Sequence, residues 1–179
     1  CEPTQRRTTN ICLPSRERLS RIRGRKHLCA TSPAKPGWDL VRCTDIFQLP
    51  DQLGWPVIGT FANALDDQVR QQFPAALVAI GNAAVRLEWL QRLASACYEL
   101  PVLIHPSASV SPTAHLASGS VVFAQTVVQT QALIGRGAIL NTGCSVDHDV
   151  QINDGVHICP GARLAGEVNI GDRTWIGIG

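Results

Sequence analysis

Four residues in the second half of the chain have types and spacing suited to proton transfer and carbonyl chemistry: His148, Asp149, His157 and Gly166. A histidine is the side chain best suited to accept a proton near neutral pH. A carboxylate beside it, Asp149 or Asp147, can orient the ring and favour the imidazolium that forms. Gly166 follows His148 by 18 residues. With no side chain in the way, its amide can reach a developing oxyanion, the usual task of a backbone donor in acyl transfer. This chemistry needs a scaffold that makes residues 18 apart into neighbours.

The sequence supplies one. From Ile104 to Ile176 an Ile, Leu or Val recurs every six residues without interruption, and four residues after each anchor stands a small or β-branched residue, from Ala108 to Thr174. A helical stripe would step by three and four residues, and a meander would turn at irregular intervals. The position three after the anchor is Gly at 119, 137, 143, 155, 161 and 179, so the chain bends once per hexad. Three straight segments and three bends close an 18-residue triangular coil, and stacked coils pair as parallel strands about 4.8 Å apart. The fold class is therefore mainly β, a parallel β-helix of hexapeptide repeats.

Folding the register modulo 18 assigns the side chains. One face turns Val121, Phe123, Ile139, Asn141, His157, Cys159 and Trp175 outward, an apolar ladder that is expected to be exposed and to form a protein interface. His148 and Asp149 fall at the opposite corner. One subunit cannot easily join His148 to His157, but a head-to-tail threefold ring can. His157 of one subunit is expected to face His148 of its neighbour in a homotrimer.

Composition bounds the rest. The 179 residues are 45% hydrophobic, as in an ordinary soluble protein. No stretch nears the ~18 consecutive apolar residues of a membrane span. Seven Cys without a CxxC pair indicate neither a disulfide framework nor a metal site, and the expected setting is reducing and cytoplasmic. Residues 1–36 hold nine of the 16 Lys and Arg against Glu2 and Glu17, whereas the remainder has 12 acids, seven Arg and no Lys. This break sets a domain boundary. The basic segment 1–36, without sustained periodicity, reads as disordered or non-native rather than as an arm for nucleic acid.

Residues 37–102 show alternating strand and helix signals. Trp38 to Thr44, Pro56 to Ile58 and Leu77 to Ile80 read as strands, and Leu65 to Phe73 as a helix. A second helix runs from Ala83 to Cys97, with Val85, Leu87, Leu90, Leu93 and Ala94 at helical spacing. This is the grammar of a parallel sheet. Ligands of such sheets bind at the carboxyl ends of strands, here Asp45 and Gly81-Asn82. An alternative reading makes Gly81-Asn82 a plain turn.

The stretches Ala79-Ile80-Gly81-Asn82, Leu103 to Ala108, Asn141-Thr142-Gly143 through Asp149, His157 to Ala162 and Leu164-Ala165-Gly166 together resemble the NeuD/PglD-like hexapeptide acetyltransferases of bacterial sugars, over residues 38 to 179. The resemblance implies a left-handed β-helix (103–179) behind a partial Rossmann-like α/β domain (37–102), a trimer and acetyl-CoA as co-substrate. It implies His148 as general base with Asp149 as its acidic partner. His157 and Gly166 become contacts of the acetyl group and its thioester oxygen, and Asn141 a pocket residue. Asp45, Gly81 and Asn82 map onto a pocket for a nucleotide-activated sugar or sialic acid. The family's opening strand and GxGGH-like turn find no match, and the repeat stops in mid-coil at Gly179, as in a truncated fragment with an aberrant N-terminus. Acetyl transfer to a sugar amine or hydroxyl is thus the leading expectation. An inactive fragment or non-catalytic trimeric scaffold is the alternative. A metal hydratase on the same scaffold would need three convergent His; His148 and His157, nine apart, supply two, while His105 and His115 sit coils away from them.

Overall fold

In a computed structural model of the protein, the described residues are the strands β1 (Asn10–Ser15), β2 (Asp39–Thr44) and β3 (Val57–Gly59) and everything from 60 to 179. From Leu103 onward the chain is a left-handed β-helix of two-residue strands, each ending on a hexad anchor. Three parallel sheets result. The first stacks Leu103–Ile104, Val121–Val122, Ile139–Leu140, His157–Ile158 and Trp175–Ile176. The second carries Ser109–Val110, Val127–Val128, Ser145–Val146 and Arg163–Leu164, and the third His115–Leu116, Leu133–Ile134, Gln151–Ile152 and Asn169–Ile170. Partners are 18 apart throughout, as in Ile139↔His157↔Trp175 and Ser145↔Arg163.

The anchors and the small residues four positions later fill the interior. Leu140, Val146, Ile158, Ala138, Cys144, Val150 and Val156 have no exposed surface at all. Ser120 and Thr126 are the polar members of this set, and they are satisfied: their hydroxyls donate to the carbonyls of Gly135 (2.7 Å) and Asn141 (3.0 Å). The bends obey a stricter rule than the glycines suggest. Every sixth residue from Gly119 to Gly179 has positive φ, including Gln125, Gln131, Asp149, Glu167 and Arg173. Left-handed backbone costs a side-chain-bearing residue roughly 1–2 kcal/mol, so the coil itself imposes this conformation.

Before the coil lies an α/β unit: β1 to β3, α1 (Asp67–Gln72), β4 (Leu77–Ala79) and α2 (Ala83–Ser95). Its sheet, ordered β3-β2-β1-β4, is mixed rather than parallel, because β1 runs antiparallel to both β2 and β4. The sequence gives little warning of β1. Ile11, Cys12 and Leu13 are its only apolar residues apart from Pro14, which has no N–H for the ladder. The unit expected over residues 37–102 thus takes in a strand from within the basic segment 1–36.

Helix α2 begins at Asn82, whose side chain accepts the Val85 N–H at 3.1 Å, a standard N-cap. Its buried face is Arg86, Trp89, Leu90 and Leu93; of the expected stripe Leu90 and Leu93 are buried and Leu87 half-buried, whereas Val85 and Ala94 are exposed. Leu90 and Leu87 rest on the corner between the third and first sheets. A Cβ on Gly137, where φ is +59°, would sit 2.5 Å from Leu90 Cδ1. The expected exposed ladder on the first sheet also needs correction. Val121 is buried and Phe123 half-buried, packed with Leu103 against Leu77 of β4. The chain's own α/β unit covers the early rungs, and only Trp175, 62% exposed, stands fully open at the far end.

Candidate functional site

His148 sits at the bend between the second and third sheets, flanked by Ser145–Val146 and Gln151–Ile152. Asp147 Oδ1 accepts the His148 backbone N–H at 2.9 Å, which sets the loop. Asp149, at the obligatory positive-φ position (57°), turns its carboxylate back so that Oδ2 lies 2.9 Å from His148 Nδ1. With Nδ1–H donating to that carboxylate, Nε2 carries the free lone pair. The ring is half-exposed. The bond to Asp149 raises the imidazole pKa above its ordinary value, with the charges of Asp147, Asp149 and Glu167 adding to the rise and desolvation opposing it.

Gly166 is one coil further along, beneath that ring. A Cβ there would lie 2.6 Å from His148 Nε2 and 2.7 Å from Cε1, so the ring can occupy its position only above a glycine. The Gly166 amide has no hydrogen-bond partner among the described residues. A basic nitrogen and a free backbone donor thus meet at one corner, where residues 18 apart become neighbours.

His157 lies on the first sheet, stacked between Ile139 and Trp175. Its ring meets Trp175 at 4.2 Å between centroids. Asn141 Oδ1 accepts the Thr142 N–H at 2.8 Å, which turns Nδ2 toward His157 Nε2 at 3.1 Å. Nε2 therefore accepts and Nδ1 carries the proton. Nδ1 is buried without a partner. Burial, with a smaller contribution from the charge of Arg86, holds this imidazole below its ordinary pKa. The two histidines are thus tuned in opposite directions, one toward a base and one toward a neutral ring.

Of the residues expected from sequence, the structure brings together His148, Asp149 and Gly166, and separately Asn141 and His157. It does not join the two groups within one chain, because a corner and the opposite face separate them. Gly81 and Asn82 are exposed at the carboxyl end of β4, where Asn82 is the α2 cap. Asp45 lies outside the described residues. An open groove of about 500 Å³ on the third sheet, between His115, Leu133, Gln151 and Asp172, contains none of these residues. Among the described residues no three His, Cys, Asp or Glu side chains converge on a point, and no helix is long and apolar enough to cross a membrane.

Sequence reasoning missed Arg86. It is 1% exposed, and its guanidinium donates to four carbonyls: Nε to Gly137 (2.7 Å), Nη2 to Gly155 (2.7 Å), and Nη1 to Ile80 (2.7 Å) and Gly81 (3.0 Å). Burial lowers its pKa to about 10. The available signal was its place at i−3 and i−4 from Trp89 and Leu90, on the buried stripe of α2.

Solved structures share the fold and part of the sequence of this chain. The acetyltransferase domain of PglB from Neisseria gonorrhoeae FA1090 is 41% identical, with a TM-score of 0.71 over 75% of this chain and 65% of that one. The same domain has been solved in complex with acetyl coenzyme A (42% identical, TM-score 0.71, 76% of this chain, 65% of that one). PerB from Caulobacter crescentus, in complex with CoA and GDP-perosamine, is 37% identical, with a TM-score of 0.69 over 73% of this chain and 62% of that one. The chain therefore spans less than two thirds of the length of these neighbours. No protein-family model matches it, and no curated protein does. In fold, repeat register and sequence the chain is similar to these hexapeptide-repeat β-helix sugar acetyltransferases.

Proposed function

We propose that the protein transfers an acetyl group from acetyl-CoA to an amino group of a nucleotide-activated sugar, with His148 as general base. The observation that carries this reading is the His148 corner: Nδ1 bonded to Asp149, Nε2 free, and Gly166 directly below. In the reaction His148 Nε2 takes the proton of the acceptor amine as its nitrogen attacks the thioester carbonyl. A C–N bond forms, and the Gly166 N–H stabilises the oxyanion of the tetrahedral intermediate. When the C–S bond breaks, the imidazolium returns its proton to the departing thiolate. Asp149 favours the imidazolium between these two steps.

The amine is preferred over a hydroxyl because structures at 36–37% identity are of a perosamine N-acetyltransferase holding GDP-perosamine. Sialic acid and uridine-linked amino sugars are the further acceptors to compare. His157 and Asn141 are assigned to the acetyl group and pantetheine arm, and Gly81 and Asn82, with Asp45, to the nucleotide sugar. Because His148 and His157 lie on opposite sides of one coil, the complete site is assigned to the groove between subunits of a homotrimer. The reaction belongs in the cytoplasm, and the described cysteines, Cys97, Cys144 and Cys159, are all free.

The test is release of free thiol from acetyl-CoA with a panel of nucleotide amino sugars. His148→Ala is expected to lower kcat by about 10²- to 10⁴-fold, the usual contribution of a general base. Full turnover by His148→Ala would remove the assigned base.

A further inference from the structure

Arg86 is a buried cation with no carboxylate bonded to it among the described residues, held only by carbonyl dipoles. Removing a guanidinium from water is expensive, and the cost is tolerated only where every donor finds good geometry. Four charge-assisted bonds supply that geometry. An apolar side chain on α2 would fill the space without this cost but would leave carbonyls of two coils and one loop unpaired. Its sequence placement gives the bonds a purpose beyond packing. Gly155 is two residues before His157, Gly137 is four before Asn141, and Ile80-Gly81 leads into Asn82. One planar group thus fixes the backbone that presents Asn141 and His157 and, at the same time, the loop at the end of β4.

We propose that Arg86 is a positioning residue for acetyl transfer, locking the Ile80–Asn82 loop onto the two coils that carry Asn141 and His157. The proposal rests on the reading that this loop receives the nucleotide sugar and those coils the acetyl donor. In that arrangement Arg86 sets the distance between the two substrates without touching either. Burial holds the His157 pKa below its ordinary value and the charge of Arg86 adds to this, in line with an imidazole whose Nε2 accepts from Asn141. A lysine cannot replace it, because a single ammonium cannot span carbonyls in three segments with the geometry of a planar fork.

Two variants test this, Arg86→Lys and Arg86→Met, each followed by steady-state kinetics for both substrates and by backbone hydrogen exchange. The expected result is a fall of about 10²-fold in kcat/KM for the acceptor, with the KM for acetyl-CoA changed less than twofold. Exchange should quicken at Ile80–Asn82 while the coil interior around Val146 stays protected, which a general loss of folding would not produce. If Arg86→Met fails to fold, Arg86→Lys decides. Acceptor kinetics within twofold of wild type in the folded variants would overturn the proposal. If the wild-type chain proves inert toward every acceptor, the acetyltransferase reading falls and exchange alone decides Arg86: faster exchange at Ile80–Asn82 supports the locking role, and unchanged exchange overturns it.

Discussion

Gly166→Ala is the most direct probe of the His148 corner. The added Cβ would lie 2.6 Å from His148 Nε2, about 0.8 Å short of the 3.4 Å at which ordinary van der Waals contact begins. The ring is half-exposed, so it can swing outward, but only by stretching or breaking the 2.9 Å bond to Asp149. The backbone tolerates the change, since Gly166 is not among the positive-φ residues. Gly→Ala at such a position commonly stabilises by about 0.4–1 kcal/mol through the unfolded chain, so global stability should hardly move. Catalysis should move a great deal, because a misplacement near 1 Å costs about 10²-fold in rate. The assay is thiol release under acceptor saturation, with urea unfolding as the control. A variant with unchanged urea midpoint and kcat reduced by about 10²-fold fits the geometry. A stable variant with kcat within twofold of wild type would mean that the His148 ring over Gly166 is not the working base.

Two further outcomes follow from the same corner and from the separation of the histidines. Asp149→Asn keeps a residue that accepts positive φ but removes the carboxylate that raises the His148 pKa; since the base works only when deprotonated, the acid limb of the kcat/KM profile should move to lower pH while the plateau falls. A profile whose acid limb stays in place would detach Asp149 from the base. Mixing unfolded His148→Ala and His157→Ala chains and refolding them together should restore about a quarter of the wild-type activity, because random assembly gives that share of sites an intact His148 from one subunit and an intact His157 from the next. Activity no higher than that of the separate variants would place both histidines' roles within single chains.

How much of this was legible in sequence depended on the range of the interactions involved. Each hexad carries its own anchor, small residue and bend, so the coil could be read locally, and the stacking of His148 on Gly166 and of His157 on Trp175 followed from arithmetic modulo 18. Even there the bends were only half visible. Glycine marks six of them, but Gln125, Gln131, Asp149, Glu167 and Arg173 take the same positive φ because neighbouring coils leave no other path. Asp149 shows the gain from this: the conformation that turns its carboxylate back to His148 Nδ1 is a property of the position, not of the residue type. The α/β unit was read less well because its determinants are distant. Strand β1 pairs with residues 24 to 69 positions away, Asn10 with Thr44 and Ala79 and Ser15 with Asp39 among them, and its composition does not announce a strand. Beyond its place on the α2 stripe, Arg86 carries no signal in the sequence of its role, because its acceptors Gly137 and Gly155 lie 51 and 69 residues downstream. The difference bears on function. The residues proposed for proton and acyl transfer lie on a repeat that can be indexed from the sequence, whereas the Arg86 contact proposed to set the distance between the substrates is visible only in the folded chain. Substitutions on the coil register should therefore change kcat first, and substitutions at the docked corner should change discrimination among acceptors.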